Sequence, residues 1–429
     1  MYTFLVRLVN TYQNFRFHEV LCLLRNYPHK IITKPQDMHP YMILETTFEA
    51  IREIGQKSIF VKQISYLLYV AETNHELLVV DETLKEKLQR KTEEFVKLYL
   101  TGELNRIQHN ERVTTETAQK VKFKLVTETF GCKIKQKNDF SNKYCFLTST
   151  ELILRQPLTI IYVISCTLNK TYFSIHVMTS RRKEMLRYGV PNRLFIGHTA
   201  MDLEVSAFMF NITVSTGNCI ILDPFVGSGS IILYCALMGC YVVGCDISKK
   251  QMIGQNTIEE NNKKNLKSFD HDIKQMITSY SNKITSTVSS DEYYNVQDKL
   301  FLTKLPGVRT SLAGTSIHSN FYQFGVEERL LGIFRASIFS THFKKVDHVI
   351  TDLPYGIRAS LQKETMISLI KGLRDLCDEV LHKNGRVCFS IIRGYGNEIA
   401  RLFEAYELVL SVNQKLRTCE RVFYLFQKI

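Results

Sequence analysis

One stretch decides the fold: Ile220-Ile-Leu-Asp-Pro-Phe-Val-Gly-Ser-Gly-Ser-Ile-Ile-Leu-Tyr-Cys-Ala-Leu-Met-Gly-Cys-Tyr-Val-Val-Gly-Cys-Asp-Ile247. It begins with a short apolar run, typical of a buried parallel strand, and continues into a glycine-rich turn at residues 223–230. Residues 231–238 are apolar with small side chains and predict a helix packed on a sheet. Residues 241–245 predict the next strand, and Asp246 stands at its carboxyl end. This order of strand, turn, helix, strand and acidic residue is the layout of a nucleotide-cofactor site.

The glycine-rich turn is less specific than its surroundings. Gly227 and Gly229 permit backbone conformations closed to other residues and let the chain approach a ligand closely. The pattern lacks the third glycine of a dinucleotide site and the Gly-Lys-Ser/Thr of a P-loop, so it favours neither. Asp246 is placed to accept hydrogen bonds from ribose hydroxyls. For this stretch alone, a tight turn in an ordinary α/β domain is the alternative.

A second motif lies further along the chain, Val349-Ile-Thr-Asp-Leu-Pro-Tyr-Gly356. It resembles the Asp/Asn-Pro-Pro-Tyr signature of amino methyltransferases, which implies an exocyclic amine on a base as the target. Such an amine is a poor nucleophile, because its lone pair is delocalised into the ring. The carboxylate of Asp352 and the backbone carbonyl of Leu353 can accept its two N–H bonds and turn the lone pair toward a methyl donor. Tyr355 supplies a flat face for the base. The alternative is a simple turn at Pro354 after a strand.

Composition and charge narrow the class of protein. The chain has 429 residues, enough for two or three domains, and 45% of them are hydrophobic. Its net charge of +13 favours an acidic polymer as partner. No run of about 18 apolar residues occurs and the N-terminus lacks a signal-peptide pattern, so we expect no membrane span. The cysteines form no Cys-x-x-Cys pair, which predicts reduced thiols, no metal site and a cytosolic or nuclear protein, and we expect a cytoplasmic one.

Residues 1–178 mix strands and helices without a nucleotide motif, and their expected role is substrate binding. They lead into a basic stretch that contains Arg181, Arg182, Lys183 and Arg187. These four side chains are candidates to follow the phosphates of an RNA. The alternative is a solvated charged linker.

Residues 179–429 alternate strands and helices, which predicts a mostly parallel sheet with helices on both faces and an antiparallel pair of final strands at its edge. We expect one helix over residues 201–211 with Thr199 as its cap, and another over residues 367–381 ended by Asn384-Gly385.

Between these two helices, residues 261–315 are rich in Ser, Thr, Asn and Lys and lack periodicity. They predict an inserted segment of low order.

With both motifs in hand, the chain resembles the eukaryotic tRNA guanosine-10 N2-methyltransferases, a family of THUMP-containing amino-methyltransferases. The four stretches that carry the resemblance are Arg193-Leu-Phe-Ile-Gly-His-Thr-Ala-Met-Asp202, Asp223-Pro-Phe-Val-Gly-Ser-Gly229, Ser319-Asn-Phe-Tyr-Gln-Phe-Gly325 and Thr351-Asp-Leu-Pro-Tyr-Gly-Ile-Arg358. The resemblance implies an α/β fold: a Rossmann-like methyltransferase sheet over residues 179–429, preceded by an α+β, THUMP-type RNA-binding region over residues 1–178.

The resemblance also implies ligands and site residues. It implies S-adenosyl-L-methionine as cofactor, tRNA as substrate and a small zinc-binding activator subunit as partner. The residues it implies as cofactor contacts are Thr199, Asp202, Asp223, Pro224, Phe225, Gly227, Gly229 and Asp246. The residues it implies at the target base are Asp352, Leu353, Pro354 and Tyr355.

Two positions depart from the family pattern. Leu353 stands where the family has the first proline of Asp-Pro-Pro-Tyr, and Arg335 stands where it has an acidic residue that accepts from the adenine amino group. A guanidinium cannot accept a hydrogen bond. These departures keep an alternative function open, a tRNA-binding protein with a degenerate, inactive methyltransferase fold. The chemistry of Asp352 also leaves adenine N6 open as a target.

Overall fold

The computed structural model describes the chain except for residues 36–38, 73–78, 102–118, 134–143, 148–152, 155–158, 194, 198–199, 215–216, 249–251, 253–315, 356–364 and 418. The predicted insertion at 261–315 and the predicted cap Thr199 therefore lie outside the described residues. The chain divides into two compact units, Met1–Lys183 and Glu184–Ile429.

The first unit contains a seven-stranded mixed sheet and three longer helices. Its strands are β1 (Tyr2–Leu8), β2 (His29–Thr33), β3 (Tyr41–Thr46), β4 (Val61–Ala71), β5 (Gln119–Lys120), β6 (Lys122–Thr129), β7 (Ile153–Leu154), β8 (Thr159–Cys166) and β9 (Thr171–Thr179). Its helices are α1 (Gln13–Leu24), α2 (Phe48–Lys57) and α3 (Glu82–Leu100), with a 3₁₀ turn at Cys145–Leu147. The sheet order is β2-β3-β1-β4-β9-β8-β6, and β5 pairs separately with β7. All neighbours in the large sheet are antiparallel except β6 and β8.

Side-chain caps and an apolar stripe explain why α3 forms and packs. The Asp81 carboxylate accepts a 2.8 Å hydrogen bond from the Leu84 amide at its first turn. Leu84, Leu88 and Phe95 recur at helical spacing, and all three are buried in the core of this unit. The charged residues between them face outward, as the sequence predicts.

The second unit contains a doubly wound sheet. Its strands are β10 (Ile220–Asp223), β11 (Tyr241–Asp246), β12 (Leu330–Arg335), β13 (Val346–Asp352), β14 (Leu381–Ile392), β15 (Tyr406–Lys415) and β16 (Glu420–Lys428). The helices of this part of the chain are α4 (Arg182–Met185, across the boundary), α5 (Leu203–Thr213), α6 (Ser230–Leu237), α7 (Ile317–Gln323), α8 (Met366–Val380) and α9 (Gly396–Leu402), with 3₁₀ turns at Leu186–Tyr188, Val190–Asn192 and Glu327–Arg329. The order is β12-β11-β10-β13-β14-β16-β15. β10 to β14 run parallel, and β16 is antiparallel to both β14 and β15. This confirms the predicted α/β fold and its antiparallel edge.

Helices cover both faces of this sheet. Phe426 of β16 belongs to the same buried cluster as Leu373 of α8. Phe423, three residues earlier, points to the opposite face because side chains alternate along a strand. There its ring meets Phe208 of α5, with the centroids 5.8 Å apart.

Within the described part of the chain, every helix is too short or too polar to cross a membrane.

Two predicted helix boundaries are wrong in detail. α5 is capped by Asp202 and not by Thr199, because the Asp202 carboxylate accepts a 3.1 Å hydrogen bond from the amide of Glu204. α8 ends at Val380, and Asn384-Gly385 lies within β14. There Asn384 has a positive φ of 64°. The turn residues thus mark an irregularity in the pairing of β13 with β14 and not the end of the helix.

The sheet has a topological switch point between β10 and β13. From β10 the chain proceeds to β11 on one side, and it later returns to place β13 on the other. Ligands of doubly wound sheets bind outside the carboxyl ends of the strands at such a point. The last residues of β10, β11 and β13 are Asp223, Asp246 and Asp352. The fold therefore brings three sequence-predicted site residues to one edge.

Candidate functional site

The turn after β10 is tied to the neighbouring strand. The Val226 amide donates to the Cys245 carbonyl at 2.9 Å, and the Gly229 amide donates back to the Val226 carbonyl at 2.8 Å. Gly227 and Gly229 have positive φ of 52° and 79°. A Cβ on Gly229 would also stand 2.8 Å from Cγ2 of Ile317. The tight turn therefore requires glycine at Gly229 for both its backbone angle and its close packing.

Asp246 closes this turn from the end of β11. Its Oδ2 accepts from the Gly227 amide at 2.9 Å, and its Oδ1 accepts from the Ser248 amide at 2.7 Å. Burial raises the pKa of Asp246, and these two hydrogen bonds oppose the rise. An ionised carboxylate offers about four lone-pair sites, so Asp246 has capacity for two more donors. These two free acceptor positions fit the two hydroxyl donors of a ribose diol.

Asp223 is buried, and its hydrogen bonds link parts of the fold to each other. Its Oδ1 accepts from the Thr351 hydroxyl at 2.5 Å and from the Phe225 amide at 3.1 Å. Burial, helped by the charges of Asp246 and Asp352, raises the pKa of Asp223 to about 7 against the effect of both hydrogen bonds. The carboxyl ties the turn to β13. A direct contact between Asp223 and a cofactor stays a prediction.

The loop after β13 is organised around Asp352. The hydroxyls of Ser390 and Tyr355 both donate to Asp352 Oδ1. The Leu353 amide donates to the Ser390 carbonyl at 3.1 Å. Leu353 is buried, whereas Pro354 and Tyr355 are half-buried at the edge of the sheet. The Asp352–Tyr355 group is therefore held in a defined shape.

A cation lies close to this carboxyl. Burial raises the pKa of Asp352, whereas the positive charge of Arg421 and the hydrogen bonds from Ser390 and Tyr355 lower it. Arg421 is 8% exposed. Its Nε donates to Gln414 at 2.6 Å. Burial, together with the charge of Asp352, raises the pKa of Tyr355, so this phenol stays protonated as a donor.

The sequence-based search missed Ser390 and Arg421. Ser390 carries a weak signal, since it is a polar residue in the apolar run Val387-Cys-Phe-Ser-Ile391. Arg421 carries none, because it opens a strand with ordinary alternation. Their proximity to Asp352 depends on strand register, which the sequence alone does not reveal.

Two stretches that carry the family resemblance pack together. The Asn320 side chain on α7 accepts from the Phe195 amide and donates to the Phe195 carbonyl, each at 2.8 Å. Arg193 is buried, and its Nη1 donates to the Ser230 hydroxyl at the start of α6 at 2.7 Å. Burial lowers the pKa of Arg193 to about 10, and the charge of Asp202 opposes this. These contacts anchor the segment before α5 beside the glycine-rich turn.

The predicted contacts in that segment are only partly described. Thr199 lies outside the described residues. Asp202 caps α5 with Oδ1. Pro224 is buried and Phe225 half-buried within the turn. The cofactor contacts of all these residues stay predictions.

The basic stretch is partly structural. The guanidinium of Arg182 donates to the Ile59 carbonyl within the first unit. Arg181, Lys183 and Arg187 are exposed. A role of all four in binding phosphates stays a prediction.

The structure places Arg335 at the end of β12, where it pairs in register with Asp246. Arg335 is exposed, and its Nε donates to the Ile247 carbonyl at 3.3 Å. The positive charge at this predicted adenine position is therefore next to the ribose-binding candidate.

Across the described ranges, no group of three His, Cys, Asp or Glu side chains could hold a metal ion.

Comparison with known proteins shows which proteins this chain is similar to. Residues 191–307 match the family model described as "RMKL-like, methyltransferase domain" (UPF0020). The chain is similar to proteins named tRNA (guanine(10)-N(2))-methyltransferase TRMT11. The Dictyostelium discoideum protein is 25% identical over 270 residues, covering 58% of this chain and 52% of the relative. The Homo sapiens protein is 27% identical over 195 residues, covering 45% of this chain and 32% of the relative.

The chain spans about half, or less, of the length of these curated relatives that it matches. Among solved structures, TrmN from Thermus thermophilus aligns over 100% of both chains with a TM-score of 0.44 and 11% identity.

Proposed function

We propose that this protein is an S-adenosyl-L-methionine-dependent methyltransferase that modifies the exocyclic N2 amino group of a guanosine in tRNA, at guanosine-10. The methyltransferase-domain match supports the reaction class, and the names of the relatives support the substrate. The observation that carries the proposal is the carboxyl of Asp352, held at the switch point of the sheet two strands away from Asp246. An amine acceptor and a ribose acceptor at one sheet edge suit methyl transfer from a nucleoside cofactor.

The cofactor, when bound, supplies a methyl group attached to a positively charged sulfur. Asp246 is suited to accept from its ribose hydroxyls, because each of its oxygens is oriented by one backbone amide. The backbone of Gly227 and Gly229 offers a surface without side chains beside it. Thr199 and Asp202 complete the proposed contacts.

Asp352 and Leu353 are proposed to act on the amine. One N–H of the amine donates to Asp352 Oδ2 and the other to the Leu353 carbonyl, which favours a lone pair localised on the nitrogen over one delocalised into the ring. Positive charge develops on nitrogen as the new bond forms, and the nearby carboxylate stabilises it. The proton then leaves to Asp352 Oδ2 or to water. Tyr355 and Pro354 border the space that the base would occupy.

The tRNA and a protein partner complete the proposal. The net charge of +13 and the exposed basic side chains Arg181, Lys183 and Arg187 support a polyanionic substrate. We assign residues 1–178 to RNA binding as a THUMP-type region, and we propose a small zinc-binding activator subunit as partner in the cytoplasm. The family resemblance alone supports these last three assignments.

The test uses the purified chain with the activator subunit, S-adenosyl-L-methionine and a synthetic tRNA. Mass spectrometry of the digested nucleosides should find N2-methylguanosine. The matched control is the same tRNA with inosine at position 10, which lacks only the N2 amino group and should accept no methyl group there. N6-methyladenosine as product would show that adenine is the target. Absence of any methylated nucleoside would favour the inactive tRNA-binding protein that Arg335 suggests.

A further inference from the structure

Ser390 contacts the loop after β13 in three ways. Its carbonyl accepts from the Leu353 amide at 3.1 Å. Its hydroxyl donates to Asp352 Oδ1 and lies 3.2 Å from the hydroxyl of Tyr355. One residue of β14 therefore touches three of the four residues predicted to meet the target base.

Strand register explains why Ser390 occupies this place. Asp352 and Ser390 are direct partners in the parallel pairing of β13 with β14. Ser390 is 0% exposed, and the strand around it is apolar, with Phe389 and Ile391 both buried. A buried hydroxyl is costly unless it is hydrogen-bonded. Here its partner is the site carboxylate, which argues for a function beyond packing.

Leu353 uses Ser390 in a way that a proline could not. Proline has no amide hydrogen, so the family's residue at this position cannot donate to a carbonyl. The Leu353 amide does donate, to Ser390. The hydrogen bond ties the loop after β13 to β14, a contact that a proline at this position could not make.

The two oxygens of Asp352 have different surroundings. Oδ1 accepts from both Tyr355 and Ser390. From the described residues, no hydrogen bond reaches Oδ2. Since each carboxylate oxygen has about two lone pairs, Oδ1 is saturated and Oδ2 retains its full capacity.

Arg421 of β16 supplies the charge that this arrangement needs. It pairs in register with Ile392, two residues beyond Ser390, the strand partner of Asp352. Its guanidinium is fixed by the hydrogen bond to Gln414 and by stacking over the Phe423 ring, 4.9 Å from the centroid. Arg421 is the positive charge that favours the ionised form of Asp352. The other carboxyl nearby, Asp223, has a raised pKa of its own. An isolated buried carboxylate would take up a proton, and a nearby cation counters this.

We propose that Ser390 and Arg421 are positioning residues for Asp352: Ser390, with Tyr355, saturates Oδ1 so that Oδ2 meets the substrate amine, and Arg421 keeps the carboxyl ionised. This inference rests on the proposed function, and it names the residues that make Asp352 competent. Neither side chain is assigned a contact with the base or with the cofactor.

The activity test compares Ser390→Ala, Ser390→Thr and a control, Ser411→Ala, in which an exposed serine of β15 is removed. With tRNA as substrate, Ser390→Ala should lower kcat by about tenfold to a hundredfold, the effect of losing one hydrogen bond to a charged group. The KM for S-adenosyl-L-methionine should stay unchanged. Ser390→Thr keeps the hydroxyl and should recover most of the rate. A Ser390→Ala enzyme with the kcat of wild type would overturn the role of Ser390.

The charge test uses Arg421→Gln, with Arg401→Gln on the exposed face of α9 as the control. Loss of the cation raises the pKa of Asp352, so the acid limb of the kcat profile should move to higher pH. Activity should therefore recover on raising the pH in Arg421→Gln, while Arg401→Gln follows wild type. An acid limb at the wild-type pH would overturn the role of Arg421.

A titration separates this inference from the proposed function. Carbon-13 NMR of labelled aspartate carboxyls, with the Asp352 signal assigned through Asp352→Asn, should show a higher pKa of Asp352 in both Ser390→Ala and Arg421→Gln. This readout needs no tRNA. A wild type that methylates nothing, together with the shifted titration, would reject the proposed function but keep the positioning roles. Identical titration of Asp352 in all three proteins would reject the positioning roles, whatever the activity.

Discussion

Replacing Asp223 by asparagine should remove a pH-dependent cost from the fold. The carboxyl is 1% exposed, and burial raises its pKa from 3.8 to about 7. The folded state therefore holds a proton on Asp223 that the unfolded state gives up at lower pH. Asparagine has nearly the same shape, keeps an oxygen for the Thr351 hydroxyl and the Phe225 amide, and never ionises.

The size and sign follow from the two pKa values. The folded and unfolded pKa values differ by about three units, and one unit corresponds to about 1.4 kcal/mol. Ionising Asp223 in the folded protein therefore costs about 4 kcal/mol. Because the folded pKa is the higher one, this stability is complete below pH 3.8 and is lost as the pH rises to about 7. Between about pH 5 and about pH 8, wild type should lose about 3 kcal/mol from this group.

The assay is urea unfolding of wild type and Asp223→Asn, followed by circular dichroism at both pH values. The free energy of unfolding of the variant should gain about 3 kcal/mol relative to wild type as the pH rises over this range. A constant offset from the new amide does not matter, because only the pH-dependent difference is predicted. Asp375→Asn, at an exposed carboxyl on α8, is the control. Parallel pH profiles of stability for wild type and Asp223→Asn would refute the raised pKa of Asp223 in the folded protein.

Three further substitutions test other parts of the site. Asp246→Ala should weaken S-adenosyl-L-methionine binding about tenfold or more in titration calorimetry, since hydrogen bonds to a charged group contribute about 1.5–3 kcal/mol; unchanged affinity would remove Asp246 from the ribose site. Gly229→Ala should lower the free energy of unfolding by about 1–2 kcal/mol or more, from positive φ and the clash with Ile317, and a stable variant would show that the turn can relax. Asn320→Ala leaves the buried amide and carbonyl of Phe195 without their partner, so we expect a loss of about 2 kcal/mol or more in urea unfolding. Wild-type stability of that variant would contradict the anchoring role.

The sheet edge of the second unit could be predicted from sequence because its signals are local. Buried parallel strands are short apolar runs, and β10, β11 and β13 each end in an aspartate that stops the run. Once the strands alternate with helices, the topology brings their carboxyl ends together. The meeting of Asp223, Asp246 and Asp352 at one sheet edge could therefore be predicted without three-dimensional information.

The roles of Ser390 and Arg421 and the end of α8 could not be predicted, because they depend on strand register and on competing local structure. Ser390 lies beside Asp352 only because of the offset between β13 and β14, and Arg421 reaches the site from an antiparallel strand added later in the chain. Asn384-Gly385 has the composition of a helix end, yet Leu381 is already extended, and the pair forms an irregularity within β14. Tertiary pairing overrode a local signal in that case.

The central claim is that Asp352 accepts a hydrogen bond from the N2 amine of a tRNA guanosine. The most direct measurement is single-turnover methylation of the tRNA by wild type, Asp352→Asn and Asp352→Ala, each with the activator subunit and saturating cofactor. Asparagine keeps an acceptor but loses the charge, so the rate should fall in the order wild type, Asn, Ala. The Ala variant should be slower than wild type by about a hundred- to a thousandfold, the effect of removing one preorganised contact. Equal rates for Asp352→Ala and wild type, with cofactor affinity unchanged in both, would contradict the claim.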